Sequence, residues 1–450
     1  MIRLLWASQL RSIGNAYGYS TQGYRMLEAL RARGDVEISE DFKEGYDLAV
    51  HVITPDQFKP IPGLPNLLFT MYEATEIPPQ WVEPINKADV LVVPCRQNQQ
   101  IFQPHFRHGQ VERCRLGVDP LQFPYFRRER SANQPFRFLW VGAPNPRKGF
   151  QLALGAWTLW LRSGRMPHDV ELYMKSSGTE KDRVVRFKAA LQMRNRDEQM
   201  PDNPADRARA VMENRAAFDF FDEKDVSPQA PIHPCVLFDT RDYNADQMRQ
   251  LYHSANAFVL PSVGEGWGLT LCEALSTGAP SIWTHWSGPT EFADDSTGFP
   301  IRDWSLGPLQ MMSGKKDETG KWVIYKSHDS YGAIAHGPAL VKRFEQIYHG
   351  YDAALARGRR AADRIHAHFK WSDSAEEFMQ IVMKHLSKGK VSGTGEFRPL
   401  AYRPAYRPRV VLAELPTSQE DRDTQLESDL VQMELDERVG EVELGNGGNG

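Results

Sequence analysis

Short apolar runs alternate with helix-length segments along most of this chain, and that alternation limits its fold more than any other feature. Strand-like runs at 2–7, 47–52, 66–70 and 90–93 are separated by Pro-rich loops and by helical patterns at 21–33 and 81–87. A second series opens with strand 136–141 and helix 150–162. It continues as strands 170–175 and 236–238, helix 245–255, strand 257–260, helix 268–277 and strand 280–283. Continuous apolar strands followed by helices belong to parallel sheets covered on both faces. Two such series, joined near 123–135, predict two α/β units facing each other.

Two stretches interrupt the second series. Residues 176–234 are polar and helix-favouring, and 303–336 are rich in Gly, Lys and Ser; both read as insertions outside the core. The end of the chain changes character again. Residues 387–409 are basic and hold an imperfect repeat, Tyr402-Arg403-Pro404 and Tyr406-Arg407-Pro408. Residues 417–450 hold ten acids against two arginines, a net −8, and are expected to be disordered. The whole 450-residue chain carries −4, so the rest carries +4. That excludes a globally basic nucleic-acid binder and leaves a local basic stripe open.

The four cysteines, Cys95, Cys114, Cys235 and Cys272, form no CxxC pair and have no histidine cluster at zinc spacing. Scattered thiols fit a reducing compartment. The first residues lack a long signal-type apolar core, and no run approaches the roughly 18 apolar residues a membrane span needs. The expectation is a cytoplasmic chain with no transmembrane segment.

The chemistry concentrates in one string, from Val259-Leu260-Pro261-Ser262 through Gly264-Glu265-Gly266-Trp267-Gly268-Leu269 to Cys272-Glu273-Ala274-Leu275. A strand ends, a Gly-rich turn follows and a helix begins. The backbone amides of Gly266, Trp267, Gly268 and Leu269 are then placed to meet an anion at the positive end of the helix. Two carboxylates bracket the turn, Glu265 in the loop and Glu273 in the helix, and ionised acids suit paired hydroxyls. An ordinary surface turn before an amphipathic helix is the plainer reading of such a string taken alone.

This string resembles the Glu-x7-Glu signature of glycosyltransferase family 4, and other segments are similar to that family in the right order. They are Gly142-Ala143-Pro144-Asn145-Pro146-Arg147-Lys148-Gly149, Leu116-Gly117-Val118-Asp119, Gly278-Ala279-Pro280-Ser281-Ile282, Gly288-Pro289-Thr290-Glu291 and Phe369-Lys370-Trp371-Ser372. The resemblance covers about residues 1–386. It implies the GT-B fold: an N-terminal Rossmann-like acceptor domain at 1–128 and a C-terminal nucleotide-sugar domain at 135–370. A crossover helix at 371–386 would return to the first domain, and 387–450 would form a linker and acidic tail.

The same resemblance implies roles. Glu273 is similar to the glutamate that holds ribose hydroxyls, Glu265 to the one that touches the donor sugar, and Lys148 to the lysine that neutralises the diphosphate. Where the family has an arginine after the strand's glycine, this chain has Ala143, and Arg147 stands nearby as a substitute charge. The implied reaction is retaining transfer of a hexose or pentose from a nucleotide sugar, independent of metal and of any further cofactor. The implied acceptors are a glycan, a lipid-linked glycan or modified DNA. A non-catalytic sugar-nucleotide binder and a nucleotide-sugar epimerase are the alternatives on the same fold.

Four further residues are candidates. Gly14 and Asn15, in the loop after the first strand, are placed to meet the donor. Glu73 and Glu76, in the 71–81 segment, are placed to orient an acceptor, although exposed loop acids are usually only solvated. His51 reads as a core histidine. The one DxD-type pair, Asp421-Arg422-Asp423, sits in the acidic tail, so no metal site is expected.

Overall fold

Uninterrupted apolar runs make the centre of each half. The computed structural model describes residues 1–8, 18–41, 45–131, 134–177, 236–309, 314–316, 322–324 and 330–387. In the first half β1 (Ile2–Trp6), β2 (Val36–Ser39), β3 (Leu48–Val52), β4 (Asn66–Phe69), β5 (Val90–Val93) and β6 (Glu112–Arg113) form one sheet. Its order is β2-β1-β3-β4-β5-β6, and every pairing is parallel. In the second, β7 (Phe136–Val141), β8 (Val170–Lys175), β9 (Val236–Asp239), β10 (Ala257–Leu260), β11 (Ser281–Thr284) and β12 (Phe299–Ile301) form another. Its order is β12-β11-β10-β7-β8-β9, again parallel throughout. Each order reverses once, between β1 and β3 and between β7 and β10. Crevices form beyond the carboxyl ends of strands at such reversals.

The helices are α1 (Gly18–Arg31), α2 (Val82–Ile85), α3 (Arg96–Phe102), α4 (Phe150–Arg162), α5 (Ala245–Ser254), α6 (Leu269–Ser276), α7 (Gly337–His349), α8 (Tyr351–His368) and α9 (Trp371–Ser387). Aromatic side chains glue α4 and α7 to the second sheet: Phe138 lies 5.8 Å from Trp157 and 5.0 Å from Phe344, ring centre to ring centre. After α8 the chain crosses back. Lys370 pairs with Val118, whose amide donates to the Phe369 carbonyl at 2.9 Å. Helix α9 then packs on α1, with Phe378 stacked on Phe69 and Glu377 accepting from the Arg115 Nε at 2.6 Å.

The link between the halves is held by a buried guanidinium. Arg128 donates to the carbonyls of Ala255 (2.8 Å), Tyr252 (2.9 Å) and Thr277 (2.6 Å) and to the Thr277 hydroxyl (2.8 Å). Ala255 and Thr277 cap the C-termini of α5 and α6, where carbonyl dipoles favour a cation. Burial lowers the Arg128 guanidinium to about 10.

Several expectations change. The helix expected at 81–87 is a 3₁₀ turn, Pro79–Trp81, followed by the single turn of α2. The Asn86 side chain ends it by donating to the Val82 carbonyl at 2.7 Å. The 303–336 stretch is not merely peripheral: β13 (Trp304–Pro308) pairs antiparallel with β16 (Tyr331–Ala335). Leu306, Leu309, Ala333 and Ala335 are buried, Ala335 in the core of the second sheet. A two-stranded antiparallel pair, β14 (Gly314–Lys316) with β15 (Trp322–Ile324), lies between them in sequence. All but the first two residues of the 176–234 insertion, and the tail beyond Ser387, lie outside the described residues. Among the described residues no helix is long and apolar enough to cross a membrane.

Candidate active site

Because β7 and β10 are neighbours at the reversal of the second sheet, the loops leaving their carboxyl ends run side by side. In the first, the Asn145 side chain accepts from the Lys148 amide at 3.0 Å and caps the 3₁₀ turn Pro146–Lys148. The Trp140 indole fixes the same turn by donating to the Lys148 carbonyl at 3.1 Å. Gly149 follows with φ 67°, and a Cβ there would stand 1.9 Å from the Pro261 carbonyl oxygen, so the two loops touch backbone to backbone. The Val263 amide donates to the Arg147 carbonyl at 2.7 Å.

A third segment enters from the first sheet. The loop after β4 is anchored by Tyr19, whose hydroxyl donates to the Met71 carbonyl and accepts from the Met71 amide, both at 2.9 Å. It lies so close to the Gly-rich turn that a Cβ on Gly264 would stand 1.9 Å from the Glu73 carbonyl oxygen.

Four charged side chains meet where these segments converge. Lys148 Nζ is 2.8 Å from both carboxylate oxygens of Glu265. Arg147 Nη1 is 3.6 Å from Glu265 Oε2 and 3.3 Å from Glu73 Oε1, and it donates to the Gly264 carbonyl at 3.1 Å. The Glu265 side chain is 5 % exposed and that of Lys148 19 %. Two cations and two acids therefore balance in a largely dry site, where charge pairs interact far more strongly than in water. Burial pulls the Lys148 ammonium below its ordinary value despite the Glu265 charge beside it. Burial acts on Arg147 too, but the Glu73 and Glu265 charges outweigh it and raise the guanidinium.

Glu273 has a different setting. It lies on α6, and one of its oxygens accepts from the Tyr252 hydroxyl of α5 at 2.7 Å. Burial raises its carboxyl to about 7, although the Tyr252 hydrogen bond and the Arg25 and Lys148 charges pull the other way. Arg25, on α1 of the first half, is thus within electrostatic reach of a second-half carboxylate. It also lies 3.9 Å from Asp119 and donates to Gln122.

The structure brings Lys148, Arg147, Glu265 and Glu73 into one cluster, with Glu273 close enough to feel the Lys148 charge. It pairs Lys148 directly with Glu265, whereas the sequence reading set them at separate ends of a ligand. Among the described residues the amides of Gly266, Trp267 and Gly268 have no acceptor, and Leu269 is the first residue of α6. The Trp267 indole is buried against Phe292 and Phe369. Glu76 is exposed, and its carbonyl accepts from the Ser330 hydroxyl at 2.9 Å. His51 is a core residue, bonded to Asn66 at 3.0 Å, and burial lowers its imidazole. Gly14, Asn15 and the Asp421-Arg422-Asp423 pair lie outside the described residues. Among the described residues no three His, Cys, Asp or Glu side chains are grouped to hold a metal ion.

Three residues escaped sequence reasoning. The Tyr252 hydroxyl bonds Glu273, and the Arg25 charge reaches it, only through the fold, and no spacing announces either. Ser287, whose hydroxyl accepts from the Glu265 amide, occupies a backbone conformation that its residue type does not advertise.

Comparison with known proteins fits this geometry. Residues 227–305, which include the Glu265 turn and α6, match the family model described as glycosyl transferases group 1. No curated protein matches the chain. Sucrose-phosphate synthase from Thermosynechococcus elongatus superposes with a TM-score of 0.54 at 14 % identity, over 86 % of this chain and all of that one. HepE from Anabaena, solved with UDP-glucose, superposes at 0.52 with 11 % identity, over 85 % of this chain and 100 % of that one. A glycosyltransferase from Rickettsia africae gives 0.51 with 12 % identity, over 86 % of this chain and 99 % of that one. At such identities the likeness is one of fold. The chain has the GT-B fold, with the group 1 glycosyl transferase signature in residues 227–305 around the Glu265 turn.

Proposed function

We propose that the protein is a retaining glycosyltransferase that moves a sugar from a nucleotide donor to an acceptor hydroxyl. The observation that carries this reading is the convergence of Lys148, Arg147 and Glu265 at the strand reversal, with Glu273 on the helix that follows. In this reading the Glu273 carboxylate accepts from the ribose hydroxyls, and the amides of Gly266 to Gly268 point at the diphosphate. Lys148 and Arg147 neutralise the negative charge that grows there as the bond from the sugar's anomeric carbon to phosphate breaks. Such fixed cations and amides favour the transition state over the ground state. The acceptor oxygen bonds to the anomeric carbon on the face the diphosphate leaves, and its proton passes to the departing phosphate. Glu265 binds sugar hydroxyls once the diphosphate competes with it for Lys148. The reading needs no metal and no further cofactor.

HepE was solved with UDP-glucose, so UDP-sugars head the donor panel. Glycan, lipid-linked glycan and modified-DNA acceptors complete it, with products identified by mass spectrometry. Turnover by the wild type, lost in Lys148→Ala and Glu273→Ala, is expected. No turnover with any donor defeats the proposal. Ala143, where the resembled family carries arginine, favours a second reading as a non-catalytic sugar-nucleotide binder. Tight nucleotide binding by calorimetry without product would select it.

A further inference from the structure

After β11 the chain enters a turn whose backbone L-residues rarely adopt. Ser287 has φ 55° and ψ −139°, and it is the one non-glycine among the described residues with positive φ. A conformation of this kind persists only where its surroundings over-determine it. Here the surroundings are the Glu265 peptide. The Glu265 amide donates to the Ser287 hydroxyl at 3.1 Å, and the Gly288 amide donates back to the Glu265 carbonyl at 3.1 Å. The two backbones are in contact: a Cβ on Gly288 would stand 2.5 Å from the Trp267 Cα.

The same turn then reaches across the cleft. It continues as the 3₁₀ segment Gly288–Glu291, and the Glu291 side chain, 8 % exposed, meets the other half of the molecule. Its Oε1 accepts from the Arg96 amide, at the first residue of α3, at 2.7 Å. Arg113 Nη1 lies 3.9 Å from the other oxygen and Arg96 Nε 4.0 Å from Oε1. An amide in the first turn of a helix lacks an intrahelical acceptor, and a carboxylate is well suited to supply one.

We propose that Ser287 and Glu291 are positioning residues that tie the orientation of Glu265 to contact between the two halves. When α3 seats Glu291, the turn is held, Ser287 keeps its unusual backbone, and the Glu265 peptide is fixed with its carboxylate toward Lys148 and Arg147. When the halves separate, Glu291 loses the Arg96 amide and the turn relaxes. Glu273 and Tyr252 sit together within the second half, so the nucleotide end of the site does not depend on this contact. What Glu265 does for a sugar rests on the proposed function; the coupling itself does not.

Amide exchange and kinetics on the full chain test the two layers separately. Glu291→Ala removes the acceptor of the Arg96 amide and is expected to speed exchange at Arg96, and also at Glu265, by about tenfold. Unchanged exchange at Glu265 in that variant overturns the coupling, whatever its activity. Ser287→Gly accommodates the positive φ without a side chain, which offsets part of the cost of leaving the Glu265 amide without its acceptor, so the variant is expected to fold with a modestly lower melting temperature. Its kcat on the best donor of the panel should fall about tenfold while donor KM and the UDP dissociation constant stay within about twofold. An undiminished kcat, or a UDP affinity that falls in step with kcat, overturns the positioning role. A wild type that turns over no donor defeats glycosyl transfer, and the exchange measurement still decides the coupling.

Discussion

Glu265 and Glu273 are the same residue type on one short stretch of chain, yet the protein treats them in opposite ways. Glu265 is packed against an ammonium and a guanidinium, so its charge is matched by direct contact. Glu273 has a phenol for its nearest partner and two cations only at a distance, and burial raises its carboxyl to about 7. The contrast shows that a pair of acids at fixed spacing is not a pair in function. One is held as a charge among charges. The other is poised between charged and neutral near physiological pH, ready to be settled by what binds it.

The strongest challenge to this contrast removes the cation from Glu265. Lys148→Ala leaves a buried carboxylate with only the more distant Arg147, and a loss of about 3 kcal/mol is expected in urea unfolding. Lys148→Met combined with Glu265→Gln should recover most of that stability and none of the donor turnover. If the single variant unfolds like the wild type, the Glu265 pair is solvated and the contrast fails. Next in size, Glu273→Ala is expected to weaken UDP binding by about 2 kcal/mol, read by calorimetry, because the proposed acceptor of the ribose hydroxyls is lost.

The pH dependence sharpens the comparison. The Glu273 carboxyl stands near 7 in the folded chain against an ordinary 4.5. Between those values the folded chain binds more protons than the unfolded one, so this group's contribution to stability falls as pH rises and levels off above 7. Glu273→Gln removes that contribution. Its melting temperature should gain on the wild type as pH climbs through this window and hold its lead above it. UDP affinity of the wild type should rise across about pH 6 to 8 as the carboxylate forms, a rise absent from Glu273→Gln. The smallest effect belongs to Tyr252→Phe. Losing its hydrogen bond, which favours the charged form, should cost about 1 kcal/mol and move the affinity midpoint to higher pH.

The sequence was most legible where the core dictates it. Strands 136–141, 170–175, 90–93 and 257–260 are found at their expected bounds, because buried parallel strands are continuous apolar runs. Helix α3 was missed because Arg96-Gln97-Asn98-Gln99-Gln100 shows little apolar rhythm; its cap, Cys95, accepts from the Asn98 amide through sulfur. Strand β2 lies at a sheet edge, and β6 is only two residues long. In the site, Glu265, Glu273 and Lys148 were visible through one local pattern and its resemblance. The Arg147–Glu73 contact spans the two halves, and the Tyr252–Glu273 contact joins successive helices. Neither leaves a trace in local spacing, since each is set by how strands order themselves in space.

The two passages of the chain between the halves are not independent. Val118 on the way out and Lys370 on the way back form a single parallel bridge, and Arg128 ties the outgoing passage to the ends of α5 and α6. A change in one passage is therefore felt by the other through that bridge.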